Sequence, residues 1–362
     1  MSTRKGKNPL PDRYEAFRRR LVRRRVDAAL LFGQKNILSL TGIDCDSACL
    51  VCPSCGAPTL LTDFRYVPAV RRSAPWLKCV EVKRSDGLSA VMRRLLRPGG
   101  APAPARIGYE GSLEASRYLA VVKLFRGAAP VDVEGEVLDL RAVKTAGEIA
   151  RIAAAEALND EIWNLSRREF RHGMTEKDMQ RIVRGYMNAL GDGEAFETIV
   201  CVGANAAECH HVPDATVWHG EPLLVDLGVK LNGVCSDMTR NVVPRRPSPE
   251  YARVYEAVLA ANKAAIAAVK PGVTAGALDK AARQVLRRAG YAKAFGHALG
   301  HGVGYDVHER PTARAGDRTV LKPGMLVTIE PGVYLPGKLG VRIEDLVLVT
   351  ASGCEVLSSS AK

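Results

Sequence analysis

One architectural plan occurs twice in the second part of the chain. Helical patterns are predicted at about 146–170, 176–190, 249–269 and 275–289. The first pair precedes a hairpin pattern near 223–243, and the second pair precedes a hairpin at 326–349. Thr145 with Glu148 and Thr175 with Asp178 are capping boxes that open the first two helices. Paired helices that alternate with antiparallel hairpins predict an α+β domain.

A smaller α/β unit is predicted before this domain. A charged helix runs to about Arg25, and strand-like apolar runs follow at 28–32, 49–51 and 59–62. A segment rich in proline, alanine and glycine at 97–105 is predicted to be a loop. The sequence pattern changes near Asp139, where the alanine-rich helices begin. We therefore expect two domains, 1–138 and 139–362.

Composition and charge restrict the class of protein. The chain has 362 residues, of which 47% are hydrophobic and 25% charged, and no apolar run approaches the roughly 20 residues that span a bilayer. Since a secretory signal pattern is also absent from the sequence, we expect a cytoplasmic protein that does not bind membranes. The net charge is +13, with a basic cluster between Arg4 and Arg25. We interpret that cluster as a solvated helix face after a loose tail, and we do not expect nucleic-acid binding, because no RNA- or DNA-binding motif accompanies it.

Four of the nine cysteines are clustered in the first domain, at positions 45, 49, 52 and 55. Cys52 and Cys55 have the spacing of half a zinc or redox site. A complete zinc site needs a second pair elsewhere in the chain, and the segment from Cys49 to Cys52 also has a strand pattern. Structural thiols are therefore the favoured interpretation.

The second hairpin carries two glutamates at equal distances from its turn. In LVTIEPGVYLPGKLGVRIEDLVLV, Glu330 and Glu344 lie equally far from Gly337, so a hairpin centred there places their side chains opposite each other on one face. The apolar neighbours Val341 and Ile343 indicate a strand that is at least half buried. Two carboxylates in such a place require a cation or a shared proton, whereas on a solvated face they would require neither.

The first hairpin repeats this arrangement. Asn232-Gly233 predicts a two-residue turn that pairs Asp226 with Thr239 and leaves Asp237 nearby on the same face. One such hairpin could have this pattern by chance, but two in one domain predict four carboxylates in a single cleft. That number of carboxylates suits about two divalent cations.

Histidines lie between the hairpins in GHALGHGVGYDVHERP, residues 296–311. Glycines on both sides of His301 would allow the backbone to approach closely, as a metal ligand requires. Taken alone, His301 could equally be a hydrogen-bonded core histidine in a turn.

Together these residues resemble the family of aminopeptidase P, prolidase and methionine aminopeptidase, which are dinuclear metallopeptidases with the pita-bread fold. The resemblance implies a pita-bread catalytic domain after a creatinase-like amino-terminal domain. It also implies five metal ligands, which are Asp226, Asp237, His301, Glu330 and Glu344, with Asp237 and Glu344 shared by both ions. Oxygen ligands with one nitrogen suit manganese or cobalt, with zinc or iron as alternatives.

The resemblance also assigns residues around the metals. It places His210 of GANAAECHHVP against the substrate, His308 on the other side as a proton shuttle or oxyanion donor, and His297 in the substrate pocket or in a structural role. Arg342 would contact a bridging ligand of the Asp237 type, or the substrate. The sequence departs from many relatives at Cys209, where they have proline, and the adjacent His211 is a weaker alternative to His210.

The implied activity is hydrolysis of the bond between an N-terminal residue and a following proline. In the family a hydroxide held between the two ions attacks the carbonyl, and Glu330 would be the general base. The short chain favours an Xaa-Pro dipeptidase, with an aminopeptidase P that takes longer peptides as the alternative.

Other members of the fold are less compatible with the sequence. The first domain resembles the amino-terminal domain of the aminopeptidase P and prolidase branch through the segments 36–42 and 61–66, and this resemblance implies a homodimer. Methionine aminopeptidases usually lack such a domain. Creatinase lacks the metal set. A non-catalytic binding protein of this fold would have lost ligands that are all present here, and bound metal would distinguish the two.

Overall fold

The computed structural model describes residues 12–83, 85–97 and 103–362. The chain divides into two compact units between Arg141 and Ala142, a few residues after the predicted boundary at 138/139. Most of the predicted loop at 97–105 and the first part of the basic cluster after Arg4 lie outside the described residues. In the described part of the chain, no helix combines the length and apolar character needed to cross a membrane.

A mixed six-stranded sheet forms the first unit. Its strands are β1 (Ala28–Leu31), β2 (Ala48–Pro53), β3 (Thr59–Thr62), β4 (Lys78–Glu81), β5 (Arg106–Tyr109) and β6 (Ala129–Asp132). They lie in the order β4-β3-β2-β1-β5-β6, and β2 runs antiparallel to both of its neighbours whereas the other pairs are parallel. The helices are α1 (Asp12–Arg23), α2 (Gln34–Thr41), α3 (Val67–Ser73), α4 (Leu88–Leu96), α5 (Ala115–Leu124) and α6 (Glu134–Ala142).

Both faces of this sheet are buried. Ala29 and Leu31 of β1 pack into one apolar core, while Ala28 and Leu30 pack into a second core on the opposite face. A strand that is buried on both sides has a continuous apolar sequence rather than an alternating one. This explains why the run that begins at Ala28 was recognisable in the sequence.

The second unit contains longer helices and shorter antiparallel strands. The helices are α7 (Ala146–Glu169), α8 (Glu176–Leu190), α9 (Pro249–Ala268) and α10 (Ala275–Arg288). The strands are β7 (Ile199–Val202), β8 (Leu223–Leu227), β9 (Lys230–Leu231), β10 (Val234–Cys235), β11 (Met238–Val242), β12 (Gly300–Gly302), β13 (Glu309–Ala313), β14 (Leu326–Ile329), β15 (Gly332–Leu335), β16 (Leu339–Arg342), β17 (Asp345–Val349) and β18 (Cys354–Val356).

The helices begin at the predicted capping residues. Thr145 accepts a hydrogen bond from the backbone N–H of Glu148, whose side chain bonds back to Thr145, and Thr175 and Asp178 do the same for α8. These reciprocal bonds satisfy backbone donors that a helix leaves unpaired at its first turn. The predicted capping boxes are therefore confirmed.

Each helix pair packs on the hairpin that follows it. One apolar core joins Ile162 of α7 to Val225 of β8, and a second core joins Val258 of α9 to Val341 of β16. The repeated plan of the sequence is thus also a repeated unit of packing. The two hairpins supply the strands on which the candidate site is built.

Candidate metal centre

The turn residues set the register of the first hairpin. Asn232 and Gly233 have φ values of 50° and 76°, as a two-residue hairpin turn of this kind requires. Thr239 pairs with Asp226, as predicted. Asp237 immediately precedes β11, so its side chain reaches the same region as that of Asp226.

Glu330 and Glu344 lie at a break in the second hairpin. The ladder of β15 with β16 and the ladder of β14 with β17 share one register centred on Gly337, which has a φ of 68°. Glu330 and Glu344 occupy the gap between these ladders. There the backbone N–H of Glu330 bonds to Leu299, and that of Glu344 bonds to Thr239. The predicted opposition of the two glutamates follows from this register.

A cavity of about 350 Å³ contains all nine residues that the sequence analysis placed in the site. They are Asp226, Asp237, Glu330, Glu344, His210, His297, His301, His308 and Arg342. Cys209, Phe196, Glu197, Ile199, Ala298 and Val307 also line it. The wall therefore combines a concentrated set of ionisable groups with a few apolar side chains.

His301 is oriented for metal binding. Its Nδ1 lies 3.2 Å from the carbonyl oxygen of Gly302, so Nδ1 carries the proton and Nε2 presents a lone pair. Nε2 lies 3.5 Å from Asp237 Oδ2 and 3.4 Å from Glu330 Oε1. Donor atoms that share one ion at about 2.1 Å are about 3 to 3.4 Å apart. The lone pair of a neutral imidazole that faces two ionised carboxylates is repelled by them unless a cation or a proton lies between them.

Close backbone approach supports this position of His301. Glycines precede and follow it in β12, and a Cβ at Gly300 would overlap the carbonyl oxygen of Thr328. The backbone N–H of His301 donates to Thr328 Oγ1 over 3.0 Å. The glycine pattern in the sequence thus reflects packing of β12 against β14.

Ionisation of the buried carboxyl groups is unfavourable unless cations balance their charge. Burial, followed by repulsion from neighbouring carboxylates, raises the pKa of Asp237 and that of Glu344 well above the usual range. Burial raises the pKa of Glu330 to about 8 and lowers that of His301 to about 4. Asp226 Oδ1 is buried without a hydrogen-bond partner among the described residues. The donor set therefore fits divalent cations, which would satisfy these charges.

Arg342 contacts Asp226 rather than Asp237. Its Nη2 donates to Asp226 Oδ2 over 2.7 Å, its Nε donates to Thr239 Oγ1 over 3.0 Å, and Nη1 lies 3.1 Å from the hydroxyl of Tyr334. Thr239 Oγ1 in turn donates to Glu344 Oε2 over 2.7 Å. The expected contact with an Asp237-type ligand is thus corrected, because Arg342 reaches Asp226 directly and Glu344 only through Thr239.

Both ring nitrogens of His297 are engaged. Nδ1 donates to the carbonyl of Ala298 over 2.7 Å, and Nε2 therefore accepts from the hydroxyl of Tyr334 over 2.8 Å. Burial lowers the pKa of His297 to about 4, which keeps the ring neutral. These bonds favour a structural role for His297 over a role in shaping the substrate pocket. Tyr334, which links it to Arg342, was missed in the sequence because no motif marks it.

His210 and His308 line the cavity from different segments. The ring centre of His308 lies 4.2 Å from that of His301, and burial lowers the pKa of His308. His210 follows the short 3₁₀ helix Gly203–Ala207. The neighbouring His211 does not line the cavity, and its Nε2 lies 2.7 Å from Glu176 Oε2. Of the two adjacent histidines, the structure brings only His210 to the carboxylates.

Glu176 organises the segment that carries His210. It is fully buried, and its carboxylate accepts hydrogen bonds from the backbone of Val202 and Asp214 as well as from Asn205. With His211 and Asp214 it forms a compact group of possible metal donors. Since its oxygens already have protein donors, we interpret Glu176 as a structural carboxylate.

The clustered cysteines of the first unit pack into its cores. Cys49 lies in one core of the sheet, whereas Cys45 and Cys52 lie in the other core, and Cys55 is exposed. Since the sheet separates Cys49 from Cys52, these thiols do not converge on one point. We therefore interpret these four cysteines as structural thiols rather than as half of a zinc or redox site.

Part of the basic cluster pairs with acidic groups within the first unit. Arg18 bonds to Glu15 at 2.9 Å, and both Arg20 and Arg24 contact Glu136 at 3.2 and 3.3 Å. The charges of these three arginines, two in α1 and one just after it, are therefore partly neutralised by the protein itself.

Comparison with known proteins agrees with this site. Residues 141–351 match the model of metallopeptidase family M24, and residues 13–143 match the Creatinase/Prolidase N-terminal domain. An Xaa-Pro dipeptidase of Pyrococcus furiosus is 38% identical over 262 residues, which are 71% of this chain and 74% of the relative.

Solved structures resemble the chain over nearly its whole length. The Xaa-Pro dipeptidase from Bacillus anthracis has a TM-score of 0.91 at 29% identity and covers 98% of this chain and 99% of its own. An X-Pro aminopeptidase from Thermotoga maritima has a TM-score of 0.85 at 30% identity and covers 94% and 98%. The predicted fold class, with a creatinase-like domain before a pita-bread catalytic domain, is confirmed. The chain is a member of metallopeptidase family M24, whose enzymes depend on a dinuclear metal centre.

Proposed function

We propose that this enzyme hydrolyses the bond between an N-terminal residue and a following proline, and that it acts mainly on Xaa-Pro dipeptides. The observation that carries the proposal is the convergence of four carboxylates and the Nε2 of His301 in one cavity. Similarity to relatives named Xaa-Pro dipeptidase supports the dipeptide, and similarity to the Thermotoga X-Pro aminopeptidase keeps longer peptides as the second candidate.

The metal ligands in this proposal are Asp226, Asp237, His301, Glu330 and Glu344, with Asp237 and Glu344 shared between two ions. The deep burial of these last two carboxylates and the absence of a hydrogen bond to Asp226 Oδ1 among the described residues support this assignment. Bound there, divalent ions would supply Lewis acidity and lower the pKa of water. Manganese or cobalt suits such an oxygen-rich set, with zinc or iron as alternatives.

The remaining groups would handle protons and developing charge. Glu330 lines the cavity, and burial raises its pKa to about 8, so it can take a proton from water and return it. Neutral His308 can donate an N–H to the developing oxyanion or protonate the proline nitrogen, and His210 can do the same from its own segment. Arg342 would hold Asp226 in its ligating orientation.

We further propose a cytoplasmic homodimer. The first unit matches the Creatinase/Prolidase N-terminal domain, which by the family resemblance takes part in dimer formation. All nine cysteines are free thiols, as in a reducing compartment. Light scattering with size-exclusion chromatography would give the mass in solution.

The activity is tested on protein stripped of metal. Xaa-Pro and Xaa-Pro-Yaa substrates should be cleaved after addition of Mn²⁺ or Co²⁺, with Zn²⁺ and Fe²⁺ tested in parallel. Peptides with alanine in place of proline are the matched control and should be cleaved much more slowly. Cleavage that is equal with and without metal, or equal for proline and alanine, would reject the proposal.

A further inference from the structure

A chain of buried hydrogen bonds connects the backbone of Asp237, which precedes β11, with β17, which begins just after Glu344. The backbone N–H of Leu346, in β17, donates to Ser358 Oγ over 2.9 Å. Ser358 Oγ then donates to Glu156 Oε1 over 2.6 Å. Glu156 Oε2 accepts the backbone N–H of Asp237 over 3.2 Å. A single serine and a single glutamate thus join the backbones beside the two deepest carboxylates of the site.

This connection is shielded from water. Glu156, in α7, is fully buried, and Ser358, which follows β18, is 7% exposed. Hydrogen bonds in such surroundings are costly to break, because the groups left behind cannot bond to solvent. The two residues therefore restrict how far the strand beside Asp237 can move from β17.

Neighbouring groups hold the serine segment in place. Asp160, one turn along α7 from Glu156, accepts bonds from the backbone N–H groups of Ser359 and Ser360 over 2.7 Å each. Arg240 Nε donates to the carbonyl of Ser360 over 3.0 Å, and its Nη1 donates to the carbonyl of Glu344. The segment is thus held on one side by Asp160 of α7 and on the other by Arg240 of β11.

We propose that Ser358 and Glu156 are positioning residues of the metal centre, which set the separation of the proposed bridging ligands Asp237 and Glu344. The inference rests on the proposed function. Outer groups that orient metal ligands typically contribute 10- to 100-fold to metal affinity, because the ligands must otherwise be reorganised on binding. Neither residue contacts the cavity, so they act through the backbone rather than on the substrate.

The test compares two serine variants. Ser358→Ala removes the central hydroxyl of the connection. Ser248→Ala is the matched control, because it removes a hydroxyl that caps α9 by accepting the N–H of Tyr251 over 3.1 Å. Both variants should lower the stability of the metal-free protein to urea. Only Ser358→Ala should weaken Mn²⁺ binding about 10- to 100-fold in a competition with a chromogenic chelator.

Two further measurements distinguish a change in the metal centre from a general loss of folding stability. Glu156→Gln keeps the size of the side chain but cannot accept both hydrogen bonds, so it should weaken Mn²⁺ binding in the same direction. The visible absorption of bound Co²⁺ reports ligand geometry and should change in Ser358→Ala but not in Ser248→Ala.

The outcomes separate this inference from the proposed function. Unchanged Mn²⁺ affinity in Ser358→Ala and Glu156→Gln, with a wild-type protein that binds metal, would overturn the inference alone. Equal weakening in Ser248→Ala would also overturn it, because general destabilisation would then be the cause. A wild-type chain that binds none of Mn²⁺, Co²⁺ and Zn²⁺ would overturn the proposed function and the inference with it.

Discussion

Arg342 and Asp226 form a buried ion pair, with Nη2 and Oδ2 2.7 Å apart and both side chains largely shielded from solvent. The pair uses one oxygen of Asp226 and leaves Oδ1 without a hydrogen bond among the described residues. Arg342 also contacts Thr239 and Tyr334, so its guanidinium is engaged on several sides. This geometry favours a role in orienting a ligand over direct recognition of a substrate carboxylate.

Arg342→Lys should therefore slow the cleavage of dipeptides and of longer peptides to the same degree. Lysine keeps the charge but cannot reproduce the forked contacts to Asp226 and Thr239. We expect kcat/KM to fall about 10- to 100-fold for both Xaa-Pro and its C-terminal amide. A rise in KM confined to the free dipeptide would instead identify Arg342 as the group that binds the substrate carboxylate.

Asp237→Ala and Glu344→Ala should each abolish activity and most metal binding. Removing either carboxylate takes away a negative charge that divalent ions require, and in the proposed centre each of the two serves both ions. Elemental analysis after mild purification should find up to about two ions per wild-type chain and far fewer in these variants. Asp178→Ala, which removes a partly exposed capping carboxylate of α8, should keep its metal. Full activity in Asp237→Ala would reject the ligand assignment.

The two histidines with neighbouring rings should behave differently. His308→Ala should retain metal and fold while turnover falls about 100-fold or more, which is the effect of losing an oxyanion donor or a proton-transfer group. His301→Ala should lose metal first, because its Nε2 faces Asp237 and Glu330. Metal content measured beside kcat distinguishes these roles, and identical behaviour of the two variants would contradict the division.

Local signals made much of the site predictable. The turn residues Asn232 and Gly337 fixed the registers of both hairpins, and in a hairpin the register also determines which side chains share a face. The registers therefore predict that Asp226 lies near Asp237 and that Glu330 lies opposite Glu344, whereas the single cleft for both pairs was inferred from the charge that they would bury. The glycines around His301 carried the same kind of local information.

Contacts between distant segments could not be predicted. Arg342 lies 116 residues from Asp226 in the sequence, and nothing in its neighbourhood indicates which carboxylate it will meet. Tyr334 resembles any other aromatic residue of a buried strand. Ser358 and Glu156 belong to segments without a motif, and their connection exists only because α7 packs beside the strands.

Removal of the metal should change how stability depends on pH. In the metal-free folded chain burial raises the pKa of Glu330 from 4.5 to about 8, and it raises those of Asp237 and Glu344 as well. The site histidines, whose pKa values are lowered in the folded chain, oppose this effect below about pH 6.5. Above that pH they are neutral in both states, so the folded state binds more protons than the unfolded state and its stability falls as pH rises from about 6.5 to about 8. Bound cations favour the ionised carboxylates and should remove this trend.

Thermal unfolding across pH 5 to 9, with EDTA-treated protein beside Mn²⁺-loaded protein, measures the effect. The metal-free sample should become less stable toward alkaline pH, and the difference between the samples should widen in the same direction. Glu330→Gln should flatten the metal-free curve, because it replaces a group that must lose its proton. If the melting temperatures of the two samples changed with pH in parallel, bound metal would not be offsetting the charge of these carboxylates.

Substrate length should be limited to two residues. The cavity of about 350 Å³ lies near the lower end of the roughly 300 to 1,000 Å³ range of small-molecule sites, which suits a dipeptide better than an extended chain. Among the described residues that line it, Arg342 is the one arginine or lysine, and it is held by Asp226. We expect kcat/KM for Ala-Pro to exceed that for Ala-Pro-Ala, with the C-terminal amide of Ala-Pro as the control for the missing charge. Faster cleavage of Ala-Pro-Ala would instead make the enzyme an Xaa-Pro aminopeptidase.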